Sequence, residues 1–512
     1  MRLLKPQARL DVPSLQRDEP AGRVLIRENI PNSAVKGLVD FLETHYLTPS
    51  LETSKIIEYS KSGSGTKFEL YWKVKYQKPE SELERPEYQT VAVHTVLDPT
   101  GVTIEFPGLN PEDPRANQAA DRAADSVEFV ATSFLAKSKR TDLYFISSPG
   151  EEKVMEAPRK SGEGVLDSFL KRVFAGNSVN LFLLFLPLSF VLAFLLGDYA
   201  LPAILCLQAV VIFYSDKLVL TTARVKLDKD NPEVLIVRVA STPSMVDGIL
   251  NTLDSIIRPI ELALGEAIPK GAVANAETKG TIYQVLTSSG VKCNPDDIEV
   301  TARNPYDLVQ TAAEKFHLPP PKVAISNTPM DNAAATGVAP NHATMTITAG
   351  ALEDLDDDEL TAVIGHELGH VKGRDPLILF GVTSFLYLGG YYLWYPLLLY
   401  LGFLYFLIAL AITYLVGKFL ETRADTLSAI VLGIPDSLAS ALTAIGFTQL
   451  YSERYSRGTR LLEWFRFDPH PPIYFRIQRL ARISHEGVRI RHAFLTSVRD
   501  CLSGFLAAFV PS

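Results

Sequence analysis

The sequence predicts an α+β N-terminal domain followed by a mainly α-helical domain with four transmembrane helices in two hairpins. Apolar and polar side chains alternate over Lys67–Tyr76, a period of two that is typical of a half-buried strand. Only Asp198 is charged within Val173–Ser215, and Leu377–Gly417 carries no charge at all. Two histidines spaced four residues apart lie in a helical pattern just before the second uncharged stretch.

The composition limits the classes of protein to which the chain can belong. Of its 512 residues, 47% are apolar and 21% are charged, which allows a core of ample size and excludes disorder as the main state. The net charge of −8 argues against a nucleic-acid partner, because neutralising phosphates requires clustered Lys and Arg. Three scattered cysteines are too few for a disulfide framework or a cysteine-rich zinc site.

Residues 1–148 are interpreted as the α+β domain, and the sequence does not indicate its role. The Gly63-Ser64-Gly65 turn predicts a hairpin that joins the alternating strand to Ile56–Tyr59. The other predicted elements are a hairpin of Tyr88–Leu97 with Val102–Phe106, a helix at Pro111–Lys137 and a strand at Leu143–Ser147. We find no catalytic constellation in this domain, and we interpret His45 and His94 as structural or surface residues. Residues 149–172 are expected to form a linker.

The uncharged stretches are long enough to cross a membrane twice each, because one span needs about 20 helical residues. Gly197-Asp198 and Gly389-Gly390 interrupt them near the middle, so we predict hairpins at residues 173–216 and 377–417. Lys and Arg flank both hairpins and are absent from both turns. This pattern predicts a multi-pass protein of the cell membrane whose soluble parts are cytoplasmic. The N-terminus lacks the apolar core of a cleavable signal peptide.

The remaining segments are defined by the two hairpins. We expect a connecting unit at residues 217–300, a first catalytic part at 301–376 and a second catalytic part at 418–512. The last apolar residues, from Phe494 to Phe509, recur every three or four positions and predict an amphipathic helix. Such a helix lies either on the bilayer surface or against the protein, and the sequence does not distinguish these two positions.

The chemistry is indicated by His366, Glu367 and His370. An acidic run before them offers a capping box from Asp356 to Glu359, which favours a helix beginning there. On a helix, residues four apart share a face, so the two histidines can bind one cation while Glu367 lies beside it. This is the two-histidine zinc pattern, in which the Glu acts as general base.

A catalytic zinc ion needs a third protein ligand, and we predict Glu421 for that position. It lies just beyond the second hairpin, whose ends are neighbours because the chain goes out and returns. Asp425, one turn later, can accept the second ring N–H of a ligating histidine. The other histidines of this region lack partners at ligand spacing and are taken as structural: His317, His342, His485 and His492.

Three blocks of sequence resemble the M48 family of zinc metalloproteases, especially its HtpX-like membrane branch. They are Asn332–Gly337, His366–His370 with Glu421–Asp425, and His470-Pro471-Pro472 with Arg476. The resemblance covers about residues 170–485. It differs in the added N-terminal domain and in Gly373-Arg374-Asp375-Pro376, where the branch has a Gly-Asp-Met form.

The resemblance implies a zincin-type endopeptidase with one Zn²⁺ per chain, which cleaves misfolded membrane proteins at the cytoplasmic membrane surface. It also implies that Asn332 and His470 line the cleft and hold the substrate or its oxyanion, and that Arg476 is a supporting charge. From the residues alone, a competing interpretation makes Asn332 a turn former and His470 a turn residue between prolines. We expect Glu367 to be the catalytic base.

Two other functions stay open at this point. A Ste24-like protease for prenylated C-termini has more spans than the four predicted. A catalytically silent zinc-bearing membrane scaffold would have no need of Glu367. The substrate, the cleavage preference and the oligomeric state are not indicated.

Overall fold

The structure is a computed structural model of the whole chain. It describes residues 15–16, 23–26, 30, 32–77, 88–110, 112–149, 191–192, 194–223, 225–239, 253–269, 275–291, 293–393, 395–455, 457–486 and 492–509. The predicted linker beyond residue 149 and residues 173–190 of the first predicted hairpin lie outside the described residues.

The N-terminal region is a six-stranded antiparallel sheet with helices packed against it. In chain order its strands are β1 Leu15–Gln16, β2 Arg23–Ile26, β3 Ile56–Ser64, β4 Lys67–Gln77, β5 Tyr88–Asp98 and β6 Gly101–Glu105. In space they run β1-β2-β6-β5-β4-β3. The helices are α1 Asn32–Leu42, α2 Thr48–Glu52 and α3 Pro114–Thr141, with a π-helical turn between the first two. Helices α1 and α3 contact β4 and β5.

The alternation along β4 decides which face is buried. Phe68, Leu70 and Trp72 belong to the core that α1 and α3 cover, whereas Lys67 and Tyr71 are exposed. The predicted strand and both predicted hairpins are confirmed, since β3 pairs with β4 and β5 pairs with β6. The predicted helix also forms, although it begins three residues later and ends four residues later than expected.

The middle of the chain builds a second sheet that the sequence pattern did not reveal. The elements of this part of the chain are β7 Leu143–Ser147, α4 Ala200–Phe213, α5 Ser215–Thr222, β8 Val225–Leu227, β9 Val234–Val239, α6 Leu253–Ala267, α7 Ala276–Ser288 and β10 Ile298–Arg303, of which β7, β9 and β10 form the sheet. The predicted strand at residues 143–147 forms, but it pairs with β9 in a three-stranded sheet ordered β10-β9-β7 and not with the N-terminal sheet. The partner strand β9 lies about 90 residues along the chain, and local periodicity carries no information about so distant a pairing.

The predicted limits of the domains stay a prediction.

A third sheet carries the region of the histidine pair. It is built from β8 together with β11 Lys322–Ser326, β12 Ala333–Ala339 and β13 His342–Thr348, in the order β12-β13-β11-β8. The accompanying helices are α8 Pro305–Phe316, α9 Ala349–Asp354 and α10 Asp357–Gly373. Strand β12 is at the edge of this sheet and contacts α10. The sheet therefore places an edge strand beside the helix that holds both histidines.

Two apolar helices form the predicted second hairpin. They are α11 Asp375–Leu393 and α12 Tyr395–Leu432, which pack against each other, and α4 packs against α11. Among the described residues one helical segment, Phe194–Phe213, is long and apolar enough to cross a membrane, and Asp375–Leu386 is a shorter apolar helix. A 3₁₀ turn at Gly197–Tyr199 occupies the expected interruption of the first stretch. The four predicted spans are not established by these helices.

The C-terminal part consists of four helices around α12. They are α13 Pro435–Tyr455, α14 Arg457–Phe465, α15 Ile473–Glu486 and α16 Ala493–Phe509. Helices α15 and α16 both contact α12, and α14 contacts α16. The predicted terminal helix thus forms and packs on the protein. The structure is rich in helix outside the N-terminal sheet, as expected for the second region.

Candidate metal centre

Helix α10 begins at the predicted capping box. The Asp356 carboxylate accepts a hydrogen bond from the backbone N–H of Glu359 at 2.8 Å, and the Glu359 carboxylate accepts one from the backbone N–H of Asp356 at 3.1 Å. Two of the N–H groups that every helix start leaves unpaired are thereby satisfied. The box fixes the start of the helix on which His366 and His370, four residues apart, share one face.

Small residues let α10 and α12 approach closely. A Cβ at Gly369 would lie 3.0 Å from Cα of Ala424, and one at Gly365 would lie 2.3 Å from a methyl group of Leu432. Between them the Ser428 hydroxyl donates to the carbonyl of Ala362 at 2.7 Å. This close packing brings the first turns of α12 beyond the hairpin against the histidine face of α10.

Three side chains converge at this contact. Nε2 of His366 lies 3.1 Å from Nε2 of His370, and each of these nitrogens lies 3.3 Å from a carboxylate oxygen of Glu421. One donor atom from each residue lies within 4.8 Å of the others. The structure therefore brings together the two predicted histidines and the predicted third ligand, although the sequence separates Glu421 from His370 by the whole second hairpin.

The far side of each imidazole ring meets a carboxylate. Nδ1 of His366 lies 2.9 Å from Oδ1 of Asp425, and Nδ1 of His370 lies 2.7 Å from Oδ2 of Asp375. A carboxylate beside Nδ1 favours the tautomer that carries its hydrogen on Nδ1, so both Nε2 atoms direct lone pairs towards the same point. Two such lone pairs 3.1 Å apart repel each other unless a cation lies between them.

The donor set fits a metal ion. Oε2 of Glu421 is buried and has no hydrogen-bond partner, which is costly for a carboxylate oxygen unless a cation binds it. Two imidazole nitrogens and one carboxylate oxygen are a ligand set that zinc takes in catalytic sites. Although burial favours its neutral form, the neighbouring imidazoles of His470 and His370 hold the pKa of Glu421 well below its usual range.

Arginines support both outer carboxylates. Arg476 donates to Asp425 through two hydrogen bonds of 2.8 and 2.7 Å. Burial raises the pKa of Asp425, but the charge of Arg476 outweighs this effect and holds the pKa well below its usual range. Arg423 donates a single hydrogen bond to Asp375. Each histidine is thus held by a carboxylate that is itself held by a guanidinium.

Glu367 points towards the edge strand. Its carboxylate oxygen Oε2 accepts a hydrogen bond from the backbone N–H of Ala335 on β12, at 2.8 Å. Asn332 lies three residues before Ala335, directly before β12. Its backbone is fixed to Thr348 by hydrogen bonds in both directions, and its side chain is exposed.

His470 lies at the rim of the centre. Its Nε2 is 3.6 Å from a carboxylate oxygen of Glu421, and its side chain is about half exposed. Asp468 accepts hydrogen bonds from Nδ1 and the backbone N–H of His470 at 2.7 and 2.9 Å. Lys418 donates to the backbone carbonyls of Asp468 and His470 at 2.6 and 2.9 Å, which fixes the loop to α12.

Sequence reasoning missed Asp375, Asp468 and Lys418. Asp375 reaches His370 because Arg374, the residue after α10, has a left-handed φ of 54° that turns the chain back. In the sequence this segment is visible only as a departure from the family pattern. Lys418 and Asp468 lie fifty residues apart, and no spacing rule connects them.

Comparison with known proteins assigns the class. Residues 301–484 match the model of peptidase family M48. The chain is 33% identical over 241 residues to Protease HtpX homolog of Moorella thermoacetica, which is 40% of this chain and 78% of that protein. The homologue of Thermococcus kodakarensis is 31% identical over 222 residues, 37% of this chain and 76% of that protein. The homologue of Thermodesulfovibrio yellowstonii is 45% identical over 80 residues, 16% of this chain and 28% of that protein.

The chain therefore belongs to peptidase family M48 and is a protease. Within that family it is of the HtpX-like kind, as the resemblance predicted. The matched residues include every residue of the candidate metal centre and exclude the N-terminal sheet.

Proposed function

We propose that the protein is a membrane-embedded zinc-dependent endopeptidase that acts in quality control of misfolded membrane proteins. The observation that carries the proposal is the pair of Nε2 atoms 3.1 Å apart, with Glu421 3.3 Å from each and both Nδ1 atoms on carboxylates. His366, His370 and Glu421 would hold one zinc ion. Other divalent metals also accept this ligand set, so zinc is chosen on ligand preference.

The ion, when bound, acts as a Lewis acid that polarises the scissile carbonyl and acidifies the attacking water. Glu367 is the general base: it takes the proton of that water and later passes it to the leaving amine. The hydrogen bond from Ala335 holds its carboxylate in place beside the edge strand.

The edge strand supports a mode of substrate binding. An extended peptide that pairs with β12 would run past Glu367, since Ala335 of that strand already contacts its carboxylate. His470, at the rim of the centre, would donate to the developing oxyanion, and Asn332 would hold the substrate backbone at the start of β12. Losing one oxyanion donor typically lowers the rate about 10²–10³-fold.

The proposed membrane topology keeps the two predicted hairpins, with the soluble parts on the cytoplasmic side. It is supported by the apolar helices α4, α11 and α12, which pack side by side, and by the position of Glu421 one turn beyond the uncharged stretch. A reporter fused after Ser512 should be active inside the cell. Activity only outside would contradict the orientation.

The test of the function compares wild type with Glu367→Gln on an unfolded membrane protein in detergent, with the zinc content of both measured. We expect cleavage by wild type alone and equal zinc in both, because Glu367 is not a ligand. Zinc without cleavage by wild type would favour a scaffold. Folded protein without stoichiometric metal would overturn the metal centre itself.

A further inference from the structure

The C-terminal helix α16 buries polar as well as small apolar residues and exposes large apolar ones. The residues that it buries against the protein include Ser497 and Asp500, whose side chains bond to the fully buried Arg479. The opposite side of the helix exposes large apolar side chains, among them Leu502 at 42%, Leu506 at 63% and Phe509 at 50% of their surface. In water this arrangement is unfavourable, because apolar area is left exposed while polar groups are withdrawn.

Helix α14 continues the apolar side of α16. Leu462 and Phe465 are 69% and 55% exposed, and Phe467 just beyond the helix is 52% exposed. The rings of Phe465 and Phe509 lie 5.8 Å apart, in edge contact. We call the combined surface the C-terminal apolar face; it consists of Leu462, Phe465, Phe467, Leu502, Leu506 and Phe509. Contiguous apolar surface of this kind marks a contact site on a protein.

The C-terminal apolar face adjoins the end of the proposed span in α12. The ring of Phe467 lies 5.8 Å from that of Tyr414, which belongs to the uncharged stretch. A Cβ at Gly417 would lie 2.8 Å from Cβ of Pro469, so the same loop rests on the last uncharged residue. The next residue, Lys418, is the first charge after the stretch. The face is thus continuous with the apolar surface of the helix at the level where charge resumes.

The most exposed charges beside the face are two arginines, each of which pairs with a less exposed carboxylate, Asp500 or Glu463. Arg499 lies on the exposed side of α16 with 77% of its side chain accessible, and Arg466 follows α14 with 58% accessible. Long Arg side chains extend their charge to headgroup level while their stems stay on apolar surface. Exposed arginines around an apolar face match an anionic membrane surface.

We propose that the C-terminal apolar face lies in the interfacial layer of the bilayer that α12 spans, as a second membrane contact of the catalytic region. The inference rests on the proposed membrane location. Interfacial helices bury their apolar side about 5–10 Å into the boundary between headgroups and acyl chains. Because Arg479 bonds to Asp500 and to the carbonyl of Thr422 in α12, this contact holds the orientation of the metal centre relative to the membrane.

The experiment measures depth-dependent quenching in the full chain. Cys206 and Cys293 are replaced by Ser, while Cys501 is buried and is kept. Single cysteines are then introduced at exposed leucines and labelled with an environment-sensitive fluorophore: Leu506→Cys and Leu462→Cys on the face, Leu404→Cys within the uncharged stretch of α12, and Leu262→Cys on α6 as the matched control. Each variant is reconstituted in phosphatidylcholine–phosphatidylglycerol vesicles that carry nitroxide lipids, labelled either near the headgroup or deep in the acyl chain.

We expect the label at 404 to lose more emission with the deep nitroxide, the labels at 506 and 462 to lose more with the shallow one, and the label at 262 to lose none. Quenching at 404 without quenching at 506 and 462 would overturn the second contact and leave the proposed span intact. If the labels at 506 and 462 become less quenched as more protein is reconstituted per lipid, the face is covered by a second copy of the chain. This result would also contradict the proposal. Absence of quenching at 404 would overturn the membrane location itself.

Discussion

The N-terminal sheet and the candidate metal centre bury different kinds of residue. In the sheet, burial follows hydrophobicity: β4 buries Phe68, Leu70 and Trp72 and turns its charges outward. In the metal centre a buried carboxylate meets two imidazoles, and each outer carboxylate meets a guanidinium. Burying charge is costly unless it is paired. The burial pattern of the N-terminal sheet therefore serves stability, whereas that of the metal centre serves a function that needs buried charge.

The largest expected effect is the loss of the third ligand. Glu421→Ala should reduce peptide cleavage to background and the bound zinc well below one per chain, because two imidazoles alone hold the ion poorly. The measurement is metal content by mass spectrometry beside the cleavage rate. Glu277→Ala, at an exposed carboxylate on α7, is the control and should change neither. Full zinc content in Glu421→Ala would show that another residue is the third ligand.

Next in size, the two kinds of burial can be compared by one substitution in each. Leu70→Ala should lower the free energy of unfolding by about 2–5 kcal/mol through cavity formation. Arg476→Met should cost about 3–5 kcal/mol, because Asp425 stays buried without its partner. Denaturant unfolding gives both values.

The two variants should differ in activity per folded molecule. Leu70→Ala should keep the wild-type rate, whereas Arg476→Met should lose both rate and zinc affinity, since Asp425 then no longer holds the His366 ring. Equal retention of activity in both variants would mean that the buried ion pair serves stability alone.

A smaller effect is expected at the carboxylate that sequence reasoning missed. Asp375→Asn weakens the hold on Nδ1 of His370 and should lower metal affinity about 10–100-fold. Competition with a zinc chelator measures the change. Asp358→Asn, an exposed position in the first turn of α10, is the matched control with unchanged affinity. An unchanged affinity in Asp375→Asn would remove Asp375 from the site.

The smallest effect concerns the pH dependence of stability at the capping box. Burial raises the pKa of Glu359 above 4.5, although hydrogen bonds from Ser440 and the Asp356 backbone oppose the rise. The folded state therefore binds this proton more tightly, and stability falls as the pH rises from about 4.5 through the raised pKa. Glu359→Gln should lack this loss. Thermal unfolding of both proteins across that range provides the test, and identical slopes would contradict it.

The sequence predicted those features that depend on local spacing. The capping box of α10, the strand β4 and its hairpin are all confirmed, because caps and a period of two involve neighbouring residues. The meeting of Glu421 with the histidine pair was predicted from the return of the hairpin. That these residues bind zinc stays a prediction.

Features that depend on distant pairings were not predictable. Strand β7 pairs with β9 across a long separation, and Lys418 fixes the loop of His470 through backbone carbonyls that carry no sequence signature. The spacing of apolar residues identified α16 as amphipathic, but periodicity gives no information on which side faces the protein. The side that packs includes the polar Ser497 and Asp500, which no apolar spacing predicts because their partner is the distant Arg479.

Helix α12 is one rod of 38 residues, about 57 Å long. Glu421 lies about 22 Å along its axis from the middle of the uncharged part, so a tilt of about 5° displaces its carboxylate by about 2 Å. Metal–ligand distances tolerate about 0.2 Å. In the proposed topology α12 meets lipid while α10 holds the histidines, so the geometry of the centre depends on a packing that keeps the rod from tilting: the contact of Gly365 and Gly369 with α12.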